Sequence, residues 1–234
     1  MTTVQGARAR ARIEITAAIK DEARRQLAAE GAAKLSLRAV ARELGMVSSA
    51  LYRYFPSRDD LLTALIIDAY DAVGAAAEQA HATARSAAPG AHLAHWTAVC
   101  RAVRAWAVAH PHEYALIYGS PVPGYSAPQD TIAPASRVGL LLISVARAAY
   151  QDKGVAPPPL PAALEPEATR LATDVAPDLP PPLAVALASA WAQLFGLISF
   201  EVFGQFHRVV EDRDTFFTAA AERLGREVGL FPKP

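Results

Sequence analysis

One cysteine, Cys100, stands alone among 234 residues, so neither an internal disulfide framework nor a cysteine-rich zinc site can form. A reducing, cytoplasmic setting fits that usage. Net charge is absent as well: 23 basic side chains balance 23 acidic ones. With 52% hydrophobic and 20% charged residues, the chain lacks the composition that keeps polypeptides unfolded. Its length suits one large or two small domains with a real core. The segment MTTVQGARARAR has no apolar stretch of the secretory type, so export by that route is not expected. Catalytic signatures are missing too. The nearest approach to a G-x-S-x-G elbow, Gly124-Tyr125-Ser126-Ala127-Pro128, fails at its last position, and no phosphate loop or G-x-G-x-x-G occurs. His92 and His95, with His110 and His112, have few carboxylates nearby in sequence. We therefore expect no metal, no cofactor and no enzyme.

Two features complicate this bland balance. Leu179 to Phe200 carries no charge, but Pro180, Pro181 and Pro182 occupy its start and Ser189, Gln193 and Ser199 interrupt it. The rest is at the lower limit for spanning hydrocarbon, and a buried helix of a soluble bundle is the expected form, with no membrane partner. The charge is also unevenly spread. Residues 1 to 60 hold eleven Arg and Lys against seven Asp and Glu, a net +4, which leaves −4 for the remainder. A basic head suits a polyanion-binding module, and equally a solvated arm; charge alone leaves both open.

Helical spacing dominates and period-2 alternation is scarce, which predicts an all-α protein. A first helix spans about Ala11 to Glu30, with Ile13, Ala17, Ile19, Ala23 and Leu27 as its apolar stripe and Gly31 as its stop. Ser36 caps a short second helix, Leu37 to Leu44, ended by Gly45. A third begins near Val47 or Ser48 and ends at Phe55, because Pro56 disfavours helix in the residue before it. Ser57 opens a fourth, with Ser57 and Asp60 spaced as a capping box and Asp59 and Asp60 in its first turn. Leu93, Trp96, Cys100, Val103 and Ala107 then mark a helix ending at His110-Pro111, followed by a short one through Ile117. Residues 120 to 130 read as loop, 133 to 151 as helix, and 157 to 182 as mostly loop with a little structure near 165 to 174. The last two helices are expected over 183 to 207 and 214 to 228.

The most informative segment is Lys34 to Leu62, KLSLRAVARELGMVSSALYRYFPSRDDLL. Two short helices joined at a glycine are a helix-turn-helix signature. Gly45 can take the left-handed conformation of the tight turn, and Ala41 is small where the helices cross. Val40, Leu44 and Leu51 can fix their angle, so that one helix braces on the DNA backbone while the next enters the major groove. The run Leu51-Tyr52-Arg53-Tyr54-Phe55-Pro56-Ser57-Arg58-Asp59-Asp60-Leu61-Leu62 resembles the TetR family of one-component transcriptional regulators over roughly residues 12 to 62. The resemblance implies a three-helix DNA-binding domain at 1–56 and a helical effector-binding and dimerisation domain at 57–234. It places Ser36, Arg38, Tyr52, Tyr54 and Arg58 at phosphates, and Met46, Ser48, Ser49 and Arg53 around base edges or nearby backbone. Val47 stands where many relatives carry a capping Ser or Thr, Ser49 where Gly or Pro is common, and Tyr54 where histidine is usual.

The remainder, through Trp106, His110-Pro111, Tyr114 and Gly119, resembles the Trp-His-Gly type of TetR C-terminal domain. That likeness implies an effector pocket, with candidate lining residues Trp96, Cys100, Val103, Arg104, Trp106, Tyr114, Tyr118, Trp191, Leu194 and Phe195. Such a lining suits a flat or hydrophobic small molecule, though aromatic residues at helical spacing serve equally as core. It also implies a homodimer through the last two helices, with Leu197, Phe200, Phe203, Phe216, Ala220 and Leu224 at the interface. The function implied is a repressor on a palindromic operator, released when an effector changes the body and pivots the fourth helix. A helical small-molecule-binding or interaction protein without DNA binding is the alternative.

Overall fold

In a computed structural model, which describes residues 2 to 231, the chain is built from ten α-helices. They are α1 (Thr2–Glu30), α2 (Leu37–Glu43), α3 (Ser48–Leu51), α4 (Arg58–Ala87), α5 (His92–Ala109), α6 (Pro111–Tyr118), α7 (Ile132–Gln151), α8 (Glu165–Val175), α9 (Pro181–Val202) and α10 (Arg213–Val228). Among the described residues there is no sheet, only one antiparallel bridge between Val155 and Leu230. Contacts divide the chain into two compact units, Met1–Tyr70 with His110–Ile132, and Asp71–Ala109 with Ala133–Pro234. This division does not follow the expected boundary after residue 56: the start of α4, all of α6 and the loop after it pack with the amino-terminal helices.

The first unit closes over Ile19, Ala23, Leu27, Leu37, Val40, Ala41, Leu51, Phe55, Leu61 and Leu65, with Leu116 and Val122 covering its edge. An ionic cluster ties α1 to its neighbours. Asp68 on α4 accepts from Lys20 Nζ at 2.8 Å and Arg24 Nη2 at 2.7 Å, while Arg24 Nε reaches Glu113 Oε2 on α6 at 3.2 Å. Tyr70 donates to the Ile117 carbonyl, and Thr63 shares a 2.9 Å hydrogen bond with Tyr125.

In the second unit α10 packs on α5 and α9, and α8 packs on α9. Trp96, Phe217, Leu183, Leu194, Ile198 and Leu224 are its largest sealed apolar side chains. Trp96 buries its ring on α5 and donates Nε1–H to the Ala221 carbonyl of α10 at 3.0 Å. The close approach of these helices depends on Gly225: a β-carbon there would sit 2.6 Å from Leu93 Cδ1 and 3.0 Å from Trp96 Cδ1.

Several expected boundaries shift. Helix α1 begins at Thr2, nine residues earlier, and Ile13 and Ala17 are exposed, because only the carboxyl-terminal half of α1 packs on the core. The α-helical part of α3 stops at Leu51, although hydrogen-bonded turns continue to Phe55. Val47, not Ser48, occupies the N-cap position of α3, and no side chain caps it. The region of 165 to 174 forms a full helix, α8, and α9 ends at Val202, well before His207. Helix α9 and the segment Gln129–Gln151 are each long and apolar enough to cross a membrane. Helix α9 buries Leu183, Leu187, Leu194 and Ile198 along one face and leaves Trp191 and Phe200 exposed.

Candidate nucleic-acid interface

The helix-turn-helix geometry follows from its punctuation. Ser36 Oγ accepts from Ala39 N at 3.4 Å and starts α2. Gly45 adopts φ +64°, a left-handed value that a side chain would strain. Its turn is closed by Met46 N donating to the Ala41 carbonyl at 2.8 Å. Leu51 and Phe55 then anchor α3 and its following turns in the core. Ser57 accepts from Asp60 N at 3.1 Å and donates to Asp60 Oδ2 at 2.7 Å, so the capping contact that opens α4 is made.

This frame leaves Arg38, Ser49, Tyr52 and Arg53 exposed beside a buried apolar floor. The side chains of Arg38, Tyr52 and Arg53 make no hydrogen bond or ion pair among the described residues, so their donors are open to an external acceptor. Three other candidates are otherwise engaged. Met46 and Tyr54 are half-buried against the core, and the Arg12 guanidinium lies 5.2 Å from the centroid of the Tyr54 ring. Arg58 is the third. Its guanidinium donates to the carbonyls of Ala32 at 2.9 Å, Ala33 at 3.3 Å and Leu35 at 3.2 Å, and so clasps the turn that leads into Ser36. The sequence gives little warning of this clasp, because its acceptors are backbone oxygens more than twenty residues away. Ser48 is half-buried.

The effector-pocket candidates fall in both units. Tyr114 and Tyr118 belong to the first unit and the other eight to the second. Trp96, Cys100, Val103, Trp106, Tyr114, Leu194 and Phe195 are buried packing residues. Burial pushes the Cys100 thiol and the Tyr118 phenol above their usual ranges. Arg104 is a clamp: it pairs bidentately with Glu201 at 2.6 and 2.8 Å, reaches Asp214 at 2.8 Å, and lies 5.2 Å from the Phe217 ring centroid. The hydrogen bonds it donates to Glu201, and then to Asp214, raise its proton affinity. Glu201 and Asp214 escaped sequence reading because each is about a hundred residues away. Trp191 faces an apolar groove of about 260 Å³ between α7, α8 and α9, with Leu142, Ile143, Leu171, Val175 and Leu187.

The interface candidates also divide. Phe200, Phe203 and Phe216 are exposed, Leu197 is half-buried, and Phe206 bridges the Phe200 and Phe216 rings at centroid distances of 5.7 and 5.5 Å. Ala220 and Leu224 are buried inside the second unit, because α10 turns that stripe onto α5 and α9. Among the described residues no group of three His, Cys, Asp or Glu side chains is arranged to hold a metal ion. His81, His92 and His95 touch only as edge-to-face rings.

Comparison with known proteins supports the reading of both parts. Residues 19–65 match the model of bacterial regulatory proteins of the tetR family, and 96–224 match that of the tetracyclin repressor-like C-terminal domain. The HTH-type transcriptional regulator Rv1816 of Mycobacterium tuberculosis is 41% identical over 212 residues, 86% of each chain. The solved structure of the regulatory protein SCO4313 superposes with a TM-score of 0.75 at 35% identity, covering 92% of this chain and 97% of that one. RolR, solved with resorcinol bound, shares the fold at a TM-score of 0.53 and 16% identity, covering 97% and 98% of the two chains. The chain belongs to the TetR family of bacterial regulatory proteins, and it is a ligand-responsive, DNA-binding regulator of transcription, not an enzyme.

Proposed function

We propose that the chain is a homodimeric repressor that grips an inverted-repeat operator and leaves it when a small apolar or aromatic molecule binds. The observation that carries the DNA half is the exposed trio Arg38, Tyr52 and Arg53, whose side chains have no polar partner among the described residues, on helices fixed by a buried core. Arg38 and Tyr52 serve phosphates. Arg53 reads base edges, where a guanidinium can fork onto guanine O6 and N7. Regulators of this family bind DNA and small effectors, typically as dimers, and they are soluble and cytoplasmic. The exposed Phe200, Phe203 and Phe216 supply an apolar face that a second copy would cover. The groove beside Trp191 supplies the effector site, since its lining is almost wholly apolar. A gel shift against the promoter region beside its own gene tests the DNA half: a retarded band that Arg53→Ala abolishes or respecifies supports it, and no band with the parent refutes it. For the effector half, Trp191→Ala should keep DNA affinity and lose release by small aromatic compounds. Loss of both together would return Trp191 to a packing role.

A further inference from the structure

Helix α1 is longer than its unit needs. Among the described residues the first α1 side chain to touch the core is Ile15, and the first fully buried one is Ile19. Ahead of them, residues 7 to 14 are helical and exposed throughout, and carry Arg8, Arg10 and Arg12 but no acidic residue before Glu14. Such an extension gains nothing from burial, and an isolated helix this short is marginal in water. Arg8 and Arg12 sit one turn apart on a single face, where like charges repel, while Arg10 points roughly 200° away. The free protein thus bears a repulsion that a facing anion would relieve.

The position of that face is set by Arg12, whose guanidinium lies over the Tyr54 ring, one residue beyond Arg53. The Arg8–Arg12 stripe therefore continues the exposed Arg38–Tyr52–Arg53 surface outward along α1. We propose that this stripe is a second DNA contact, in which Arg8 and Arg12 neutralise backbone phosphates flanking the half-site read by α3. The assignment rests on the reading of the first unit as a DNA-binding module. The occupant is committed by charge complementarity and by continuity with that interface. The one-turn rise between the two arginines, about 6 Å, is close to the rise of two phosphates along one strand. Because the guanidinium groups meet phosphates and not base edges, the contact adds affinity and salt dependence without sequence preference.

The test uses full-length protein and a duplex recovered by selection from a random pool, extended about one helical turn (10 bp) beyond each half-site. Dissociation constants are measured as a function of salt for the parent, Arg8→Ala, Arg10→Ala and Arg53→Ala. Arg8→Ala should flatten the log-log salt slope by about 0.9 for each phosphate it ceases to neutralise, with unchanged sequence preference and unchanged thermal midpoint. Arg10→Ala, on the far face, should change the slope less. Trimming the duplex to the half-site edges should erase the difference between parent and Arg8→Ala. An Arg8→Ala slope equal to the parent's, or equal to that of Arg10→Ala, overturns the proposal while leaving the helix-turn-helix reading intact. A parent that binds no duplex overturns that reading, and the arm with it. Arg8-dependent binding to anionic vesicles in place of DNA would also overturn it.

Discussion

Removing the Glu201 carboxylate should uncover how much the second unit relies on one ion pair. Arg104 is 14% exposed and Glu201 8%, and the two are joined by two short hydrogen bonds. Breaking such a pair from one side leaves a charge without compensation and costs about 3 to 5 kcal/mol. Asp214 still reaches Arg104 at 2.8 Å, but it is 66% exposed and solvent-screened, so the loss for Glu201→Ala should fall near 3 kcal/mol. For a chain of this size each kcal/mol moves the thermal midpoint by roughly 2 to 4 °C, which predicts a drop of about 6 to 12 °C. The double variant Arg104→Met/Glu201→Leu removes both charges and keeps the bulk, and should lie within roughly 1 kcal/mol of the parent. Urea unfolding at one fixed protein concentration measures these free-energy differences, since the proposed dimer would make stability concentration-dependent. A Glu201→Ala cost below about 1 kcal/mol, the range of surface pairs, would show that the clamp is open to water in solution. A double variant less stable than Glu201→Ala would refute the reasoning from unpaired charge.

Arg58→Ala should lower stability by about 1 to 3 kcal/mol, because three backbone carbonyls lose a charged donor, and circular dichroism on heating would report it. DNA binding weakened with no loss of stability would restore Arg58 to a purely phosphate-binding role. Cys100 should resist maleimide at neutral pH until the protein unfolds, since burial holds its thiol protonated and out of reach; rapid labelling of the native protein would contradict its packing. The hydrogen bond from Arg137 holds the Glu78 carboxyl below the usual range. Its contribution is present above the unfolded carboxylate value and lost as pH falls through the lowered one, so Arg137→Gln should flatten the acid limb of the stability profile. Glu78 is nearly half exposed, which keeps this effect small. An acid limb identical to the parent's would remove the pair from the account.

Local signals made the helix-turn-helix legible. Gly45, Ser36, Pro56 and the Ser57–Asp60 spacing each act within four residues, and each does in the fold what its chemistry demands. The stripe Leu93, Trp96, Cys100, Val103 and Ala107 is buried as its spacing requires. What local pattern leaves open is which apolar face meets which neighbour. Leu224 and Phe216 sit on one helix with similar character, yet one is sealed and the other exposed, because α5 and α9 cover only part of α10. Partners distant in sequence were equally invisible. Nothing near Arg104 announces Glu201 or Asp214, and nothing near Arg58 announces the carbonyls of 32, 33 and 35. Pattern alone also cannot separate core from cavity lining, as aromatic residues at helical spacing pack and line cavities with one and the same pattern.

The most direct test of the central claim is selection of bound duplexes from a random pool with the parent and with Arg53→Ala. A two-fold dimer presents its recognition helices symmetrically, so the parent should recover inverted repeats with half-sites about 34 to 36 Å apart. Arg53→Ala should keep that spacing but relax preference at one position in each half-site, at a cost of about 1 to 3 kcal/mol. Recovery of sequences with no repeat symmetry would contradict the dimeric operator, and full parental preference in the Arg53 variant would show that Arg53 holds only backbone.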